Sequence, residues 1–192
     1  YISRRTDHLP TTIYSRYPIH SVKALYHKNS SNMSLIADVR INNQYIRVIN
    51  NHFETTNVNA YRGIITAPDK SLKIRAKAVK NLILQMKDNN RKRAIQADSI
   101  HAEIQRSPYP VIVCGDFNDT PASYTYHRVK KGLTDGFQDV GNGYQYTFRQ
   151  LYRLWRIDYV FYSESLKGQD CFSPDVSYSD HNMVVWRGCV KN

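Results

Sequence analysis

Residues 111–121, VIVCGDFNDTP, join an apolar run to a group of polar residues. VIVC is short and continuously apolar, which predicts a strand buried on both faces. Gly115 would allow close backbone approach, and Asp116 and Asn118, two positions apart, would share a face if the strand continued. Thr120 before Pro121 predicts a helix through about residue 131, with Thr120 as the N-cap. The stretch therefore places a carboxylate and an amide at the end of a central strand.

A β-hairpin is predicted upstream, in residues 33–54, MSLIADVRINNQYIRVINNHFE. Apolar residues alternate along 35–41 and again at 46–48, and Asn42-Asn43 suits a two-residue turn that tolerates positive φ. The second strand would carry His52 at its end. Before the hairpin, the β-branched and aromatic residues Thr11 to Ser15 predict a strand that Pro18 closes.

Apolar residues recur at helical spacing from Ser71 to about Arg106, which predicts two helices, or one helix broken near residues 88–90. Nine Lys or Arg and a single acid, Asp88, lie between Lys70 and Arg93. This region is either a phosphate-binding face or a solvated helix surface with a basic loop. The sequence alone favours the second interpretation.

Two later predicted strands also have polar residues at or next to one of their ends. Residues 157–162 and 183–186 are predicted strands, with Asp158 at or next to the end of the first and Asp180-His181 before the second. Because a rigid sheet can hold several side chains around one point, polar residues at strand ends are candidates for a site.

These candidates suit the hydrolysis of a phosphoester. A carboxylate can bind a metal or a proton, an amide can donate to a phosphate oxygen, and an imidazole titrates near neutrality. Asp158 could hold the His181 ring in one tautomer, as a buried carboxylate does for a catalytic base. Each motif alone is more often a turn or a polar surface pair, so it is their conjunction that favours function. The candidate set is His52, Asp116, Asn118, Asp158, Asp180 and His181.

The whole chain is strongly basic. It has 192 residues, a formal net charge of +11 and 41% apolar residues, which suits a single folded domain over residues 1–192 with polyanionic partners such as nucleic acid or an anionic membrane surface. No leader peptide and no apolar run of roughly 20 residues is present, and the compartment is left open.

Cys114 is predicted to be a buried thiol. Cys171 and Cys189 flank the last strands and could pair under oxidising conditions, although three cysteines do not make a complete disulfide framework.

The order HFE, GDFND, RIDYVF and SDHNMV resembles the endonuclease/exonuclease/phosphatase superfamily, which includes deoxyribonuclease I-like nucleases and sphingomyelinases. The resemblance runs from about Thr11 to Trp186. It implies an α/β (α+β) fold: a four-layer, deoxyribonuclease I-like sandwich of two β-sheets flanked by helices. It also implies a site supported by Mg²⁺, with Mn²⁺ as a substitute.

The resemblance also implies roles for the candidate residues. His181 would activate or orient the attacking water, Asp158 would hold its ring, and Asn118 would contact a phosphate oxygen. Asp116 would assist catalysis near the phosphate or metal, and Asp180 would help to bind the metal. His52 would contact the scissile phosphate.

One departure concerns the start of the fold. The family normally begins with a strand bearing an Asn and a strand whose Glu is the principal metal ligand, and neither motif is present before Thr11. Glu54, two residues beyond His52, cannot be assumed to replace that Glu as a metal ligand. We therefore expect an N-terminally incomplete domain whose missing segment would be a partner. Alone, the chain is expected to be poorly active and of low stability, because absent strands expose sheet edges and apolar faces.

The sequence leaves two functions open. The first is a metal-dependent phosphoesterase acting on a phosphodiester or phosphomonoester, whether in nucleic acid, a phospholipid head group or a small ester. The second is a catalytically inactive module that binds nucleic acid or anionic lipid through the basic region 70–93. Retention of all six candidate residues favours the enzyme.

Overall fold

A six-stranded mixed sheet forms the centre of the computed structural model, which describes residues 10–56, 58–150 and 153–191. Its strand order is β1-β2-β3-β4-β6-β5, and β7 and β8 form a separate two-stranded sheet. The strands are β1 Ile19–Tyr26, β2 Met33–Ile41, β3 Gln44–His52, β4 Val111–Asp116, β5 Thr134–Asp135, β6 Asp158–Tyr162, β7 Leu166–Phe172 and β8 Val185–Val190. The helices are α1 Val58–Thr66, α2 Leu72–Gln105, α3 Tyr124–Lys130 and α4 Gly136–Val140.

The predicted hairpin is confirmed. β2 pairs antiparallel with β3 from Ser34 opposite Asn51 to Ile41 opposite Gln44. Asn42 occupies the turn with φ of 54°, a left-handed conformation that Asn tolerates better than most residues. Along β2 every residue from Met33 to Val39 is buried. Ile36 belongs to the same core cluster as Ala97 and Ile100 of α2, whereas Leu35 and Val39 belong to a separate apolar cluster.

β4 is the predicted buried strand, and it lies between two partners. It runs parallel to β3 and antiparallel to β6, so that His52 is in register with Asp116 and Asp116 with Asp158. The parallel pairing of β3 and β4 requires a crossover, which α1 and α2 provide. Three candidate residues thus fall in one row across the sheet.

The larger hydrophobic core lies between the sheet and the helices. Ile49, Val113 and Phe161 from the sheet pack with Ala97 and Ile100 of α2. Phe53, Phe117 and Tyr159 extend the cluster towards the candidate residues through edge-to-face ring contacts. This core fixes the strand ends.

The opposite face of the large sheet forms two further apolar clusters. One contains Leu35 and Val39, and the other joins Ile46 and Tyr162 to Leu166 and Trp186 of the small sheet. The two sheets therefore meet through a limited contact. The predicted mixed α/β architecture of two sheets flanked by helices is confirmed.

α2 is one unbroken helix of 34 residues, about 50 Å long at 1.5 Å per residue. Its N-cap is Ser71, whose Oγ accepts a hydrogen bond from the Ile74 amide at 3.4 Å. Both alternatives predicted for this region, two helices and one helix broken near residues 88–90, are wrong. Asn89 is buried and donates its side-chain amide to the Thr55 carbonyl, so this point of the helix is anchored.

Three local predictions need correction. Residues 11–15 do not form an extended strand; the first strand is Ile19–Tyr26, beyond Pro18. Thr120 is not a helix N-cap: its carbonyl accepts from the Ser123 amide in a turn, and Ser123 caps α3. The last strand is Val185–Val190 rather than residues 183–186, because residues up to 184 belong to the loop after His181.

The cysteines are free. Cys171 lies opposite Trp186 and Cys189 opposite Lys167, three register positions apart. That offset is about 10 Å along the strands, beyond the reach of a disulfide. Cys114 is partly buried, and burial raises the pKa of its thiol to about 11, so it is an inert thiol. No helix in the described part of the chain is both long and apolar enough to cross a membrane.

Candidate active site

The site is built at the ends of three adjacent strands. His52 ends β3, Asp116 ends β4 and Asp158 begins β6, and their register places the three side chains on the same face of the sheet. Gly115 makes the close approach of β3 and β4 feasible: its φ is +125°, and a Cβ there would lie 2.0 Å from the Asn51 carbonyl oxygen. The close approach predicted for Gly115 is therefore present.

His181 joins this row from a loop. Its Nδ1 lies 2.9 Å from Asp158 Oδ2, and both side chains are mostly buried. The loop is held by the Ser179 hydroxyl, which accepts from the His181 amide, and by Arg149, whose backbone amide donates to the Asp180 carbonyl at 2.9 Å. The hydrogen bond to Nδ1 leaves Nε2 as the ring nitrogen available to a substrate or water.

The His181 imidazole is strongly stabilised as a cation. Burial opposes the charged form, but the hydrogen bond that His181 Nδ1 donates to Asp158 and the negative charges of Asp158 and Asp116 outweigh it and raise the pKa of His181 to about 9. A histidine clamped in this way has a fixed ring orientation and carries positive charge at neutral pH.

Asp116 and Asn118 interact directly, although not in the predicted manner. The strand ends at Asp116, and Asn118 has a left-handed φ of 50°, so the two residues do not share a strand face. Instead, the Asn118 backbone amide donates to Asp116 Oδ1 at 2.7 Å and its side-chain amide donates to Asp116 Oδ2 at 2.9 Å. The second amide hydrogen is directed to the Phe53 carbonyl at 3.1 Å. A phosphate contact by Asn118 would therefore replace one of these bonds.

Asp116 holds a proton more readily than an ordinary carboxyl group. Burial and the neighbouring charge of Asp158 raise its pKa to about 7, against the opposing effect of His181 and Asn118. His52 lies beside it, with Nε2 3.9 Å from Asp116 Oδ2. Burial and the charge of His181 lower the pKa of His52, so this second imidazole is neutral at neutral pH.

Asp116, Asp158 and His181 have donor atoms that all lie within 4.8 Å of one another, which is compact enough for one cation. The carboxylates suit a hard divalent ion. The pKa of Asp116 is raised by burial first and by the charge of Asp158 second, and a bound cation would offset both effects. The predicted ligand Asp180 is exposed on the cavity wall and is outside this group. Glu54 is committed elsewhere, accepting from Ser30 Oγ at 2.5 Å and Lys92 Nζ at 2.9 Å.

The strand ends open into a cavity of about 610 Å³. His52, Asp116, Asn118, Asp180 and His181 all line it, whereas Asp158 lies behind His181. An apolar wall faces the polar residues and is formed by Met86, Phe148, Trp155 and Ile157. The Phe148 ring meets the His181 ring edge to face, at a centroid distance of 5.1 Å. The cavity can therefore accommodate a charged group beside an organic one.

Arg93 is a site residue that sequence reasoning did not single out from the basic region. It is 2% exposed and lines the cavity. Its guanidinium donates to the Glu54 carbonyl and to Thr56 Oγ1, and it pairs with Asp119 Oδ2 at 3.2 Å. Arg93 thereby ties α2 to the loop after β3 and to the loop after β4. An unusually basic helix face was the only sequence signal for it.

Thr147 is a second residue that sequence reasoning missed. It is fully buried, and its Oγ1 accepts hydrogen bonds from the amides of Ile157 and Asp158 at 2.9 and 3.0 Å. Its carbonyl accepts from the Asn182 amide at 2.7 Å. Thr147 thus links the start of β6 to the loop bearing His181, and no motif in the sequence identifies it.

Residues 10–181 match the sequence model of the Endonuclease/Exonuclease/phosphatase family. Membership of this family supports a phosphoesterase kind of activity, and the family is generally dependent on divalent metal. No curated protein sequence matches the chain.

Several solved structures share the fold at low sequence identity. An endonuclease/exonuclease/phosphatase from Bacteroides vulgatus is 16% identical, with a TM-score of 0.66 over 91% of this chain and 67% of that one. A humanized TDP2 of D. rerio is 15% identical, with a TM-score of 0.62 over 91% and 68% of the two chains. A mannosyl-6-phosphatase from Bacteroides thetaiotaomicron is 15% identical, with a TM-score of 0.58 over 90% and 67%.

Proposed function

Because the chain belongs to the Endonuclease/Exonuclease/phosphatase family, we propose that it hydrolyses a phosphate ester by attack of an activated water. The observation that carries this proposal is the meeting of Asp116, His52 and the Asp158–His181 pair at one cavity. These groups have the chemistry to position water, balance charge on phosphate and move protons. Polar residues placed only for stability would not need to converge on one cavity wall.

His181 and Asp158 act as a unit in this proposal. Asp158 fixes the ring through Nδ1. In the cationic form that predominates at neutral pH, Nε2 orients the attacking water as a donor, and only the neutral form of the ring can accept a proton from that water. When protonated, the same ring offers a positive charge and a donor to the phosphate oxygens. Asp158 does not line the cavity, so we treat it as a positioning residue.

Asp116 and His52 serve the other side of the phosphate. Asp116 has a pKa near neutrality and can assist proton transfer or hold a cation. His52, which is neutral, can donate a hydrogen bond to the scissile phosphate or the leaving oxygen. Asn118 can give an uncharged donor to a phosphate oxygen on exchanging one of its present bonds.

The proposal includes a divalent cation, Mg²⁺ or Mn²⁺, with Asp116 as a ligand and Asp180 as a further candidate on the same wall. When bound, such an ion neutralises charge on the phosphate and polarises its oxygens. The proposed ester is a phosphodiester or a phosphomonoester. The apolar wall around Phe148 and Trp155 would hold its organic part.

Hydrolysis of bis(p-nitrophenyl) phosphate and p-nitrophenyl phosphate, with Mg²⁺ or with a chelator, tests this proposal. We expect metal-dependent turnover that falls at least about 100-fold in Asp116→Asn and His181→Gln, since proton transfer contributes about 10²- to 10⁴-fold. Asp98→Asn is the matched control, because Asp98 is an exposed carboxylate that pairs with Arg128 on the helix surface.

Turnover that survives both chelator and Asp116→Asn would contradict the proposal. Absence of turnover in every form of the chain would fit either an N-terminally incomplete enzyme or the catalytically inactive binding module, and turnover after restoring the upstream segment would distinguish the first from the second. The ratio of diester to monoester turnover would identify the ester class.

A further inference from the structure

The first half of α2 extends away from the core together with α1, and we call this unit, residues 58–87, the arm. Of the residues that α2 buries, only Ala78 lies in this half, where α2 packs against α1. The others begin at Asn89, where the helix meets the loop after β3. The arm is therefore a helical hairpin with its outer surface in solvent.

Large aliphatic side chains are exposed on the arm. Leu72 is 80% exposed, Ile83 59% and Leu84 56%, and Ile74 and Val79 are also exposed. Leu72, Val79 and Ile83 are spaced seven and then four residues apart, so they form one stripe along the helix. Isolated exposed aliphatic residues are ordinary, but a continuous stripe on a surface helix marks an interaction surface.

A line of lysines runs beside this stripe. Lys73, Lys80 and Lys87 are spaced at seven residues and all are exposed. None of them forms an ion pair with any residue that the structure describes, in contrast to Lys70 and Lys92, which pair with Asp69 and with Glu54. Their charge is thus available to a partner with negative charge.

The stripe leads to the catalytic cavity. Ile83 and Lys87 line a groove of about 580 Å³ together with Met86 and Asn90, and these last two residues also line the cavity. A partner seated on the arm would therefore lie next to the cavity mouth.

We propose that the arm docks on an anionic lipid surface, so that the cavity faces lipid head groups. A helix that pairs an aliphatic stripe with lysines gains both apolar burial and electrostatic attraction at such a surface. Nucleic acid would use the lysines but would give the aliphatic side chains no apolar surroundings. The inferred docking uses only features of the arm and does not depend on the proposed function. Only the inference that a phospholipid supplies the phosphate ester rests on the proposed function.

Sedimentation of the chain with vesicles of phosphatidylcholine containing phosphatidylglycerol, compared with pure phosphatidylcholine, tests the docking. We expect binding that requires phosphatidylglycerol and weakens about 10-fold or more in Leu72→Ser/Ile83→Ser, because two large aliphatic side chains are removed from the contact. Ile95→Ser is the matched control, since Ile95 is 66% exposed on the second half of the same helix.

The lysines are tested in the same way. Lys73→Gln/Lys80→Gln should weaken vesicle binding about 10-fold or more, because two positive charges that attract the anionic surface are removed. Lys131→Gln/Lys167→Gln removes the same charge from exposed positions outside the arm and should have a smaller effect.

Three results would overturn the proposal: vesicle binding that is unchanged in Leu72→Ser/Ile83→Ser, equal binding without phosphatidylglycerol, or binding to a DNA duplex but not to vesicles. The arm variants should hydrolyse bis(p-nitrophenyl) phosphate as the unsubstituted chain does. Vesicle binding without any hydrolysis would count against the proposed enzyme and leave the docking surface standing.

Discussion

Thr147 shows how a single buried hydroxyl can hold a catalytic arrangement in place. Its Oγ1 is the acceptor for the amides of both Ile157 and Asp158, and no water is expected to replace it at a fully buried position. An unpaired buried amide costs about 1–3 kcal/mol. Asp158 in turn orients His181, so the effect of this hydroxyl on activity would be transmitted through the Asp158–His181 pair.

We predict that Thr147→Val lowers the free energy of unfolding by about 3 kcal/mol, because it leaves two buried amides without an acceptor. Thr147→Ser keeps the hydroxyl and should lose about 1 kcal/mol, for the missing methyl group. Urea denaturation of both variants measures the difference. Equal losses in the two variants would show that the methyl group, and not the hydroxyl, is what matters.

Asp38 and Arg47 face each other across the hairpin, with Arg47 Nε 2.8 Å from Asp38 Oδ1. Burial opposes ionisation of Asp38, but the hydrogen bonds from Arg47 and Ser21 prevail and hold the pKa of Asp38 below its usual value. Because the folded-state pKa is lower than the unfolded one, this pair stabilises the fold above the unfolded pKa and the stabilisation is lost as pH falls through the folded value.

We therefore expect Asp38→Asn to lower the free energy of unfolding at pH 7 by about 2 kcal/mol, a typical value for hydrogen bonds to a charged group. The difference between Asp38→Asn and the unsubstituted chain should shrink below about pH 4, where the carboxylate becomes protonated. Urea denaturation between pH 7 and pH 3 measures it. A difference that stays constant down to pH 3 would argue against a stabilising ionised Asp38.

Among the elements, those with a strong local pattern were predictable from the sequence. The hairpin strands alternate, β4 is a continuous apolar run, and Asn42-Asn43 fits the turn. α2 has a helical period, although the sequence predicted two helices or a break where the structure has one continuous helix. β1 was missed because its apolar residues are interrupted by polar ones on both faces, as in IHSVKALY. The start of α3 was misplaced because Thr120-Pro121 is a good capping sequence, whereas the chain makes a turn there and Ser123 provides the cap.

The candidate site was likewise predictable only where the sequence carries a local motif. Residue types at the strand ends were predictable, since the motifs themselves contain His52, Asp116, Asp158 and His181. The bonds that orient them were not, because Thr147 and Arg93 act on backbone groups far away in sequence. The contact between Asn118 and Asp116 was mispredicted for a related reason: a left-handed residue after the strand redirects the side chain.

The junction of β3 and β4 depends on Gly115, and we predict that Gly115→Ala prevents normal folding or costs at least about 3 kcal/mol. A Cβ would lie 2.0 Å from the Asn51 carbonyl oxygen, which belongs to backbone and cannot rotate away, and φ is +125°. Gly63→Ala is the control, because it lies in α1 with open space around its Cβ position and should stabilise by about 0.5–1 kcal/mol. Thermal denaturation compares them, and a Gly115→Ala chain as stable as Gly63→Ala would refute the packing argument.

At the scale of the whole molecule, the two sheets differ in how firmly they are held. The six-stranded sheet has a core of aromatic and aliphatic residues against α2 and α3. The small sheet is joined to it mainly through Leu166, Trp186 and Tyr162, and by α4. A two-stranded sheet is marginal by itself, so its stability must come from that limited contact. The chain also spans only about two thirds of the length of the solved structures that it matches. The low stability and low activity expected of the chain alone remain predictions.

This difference predicts that the molecule opens first at the small sheet. Amide hydrogen exchange should proceed at least about 10-fold faster in β8 than in β4, since local opening needs less free energy where few apolar contacts are lost. Trp186→Ala should accelerate exchange in β7 and β8 further, because Trp186 packs on Tyr162 with ring centroids 4.7 Å apart, and should leave β4 slow. Equal exchange in β4 and β8, or a change in β4 as large as that in β8, would mean that the two sheets unfold as one unit. In that case the limited contact between them would be strong enough to fix the loop that carries His181 relative to the strands that carry Asp116 and His52.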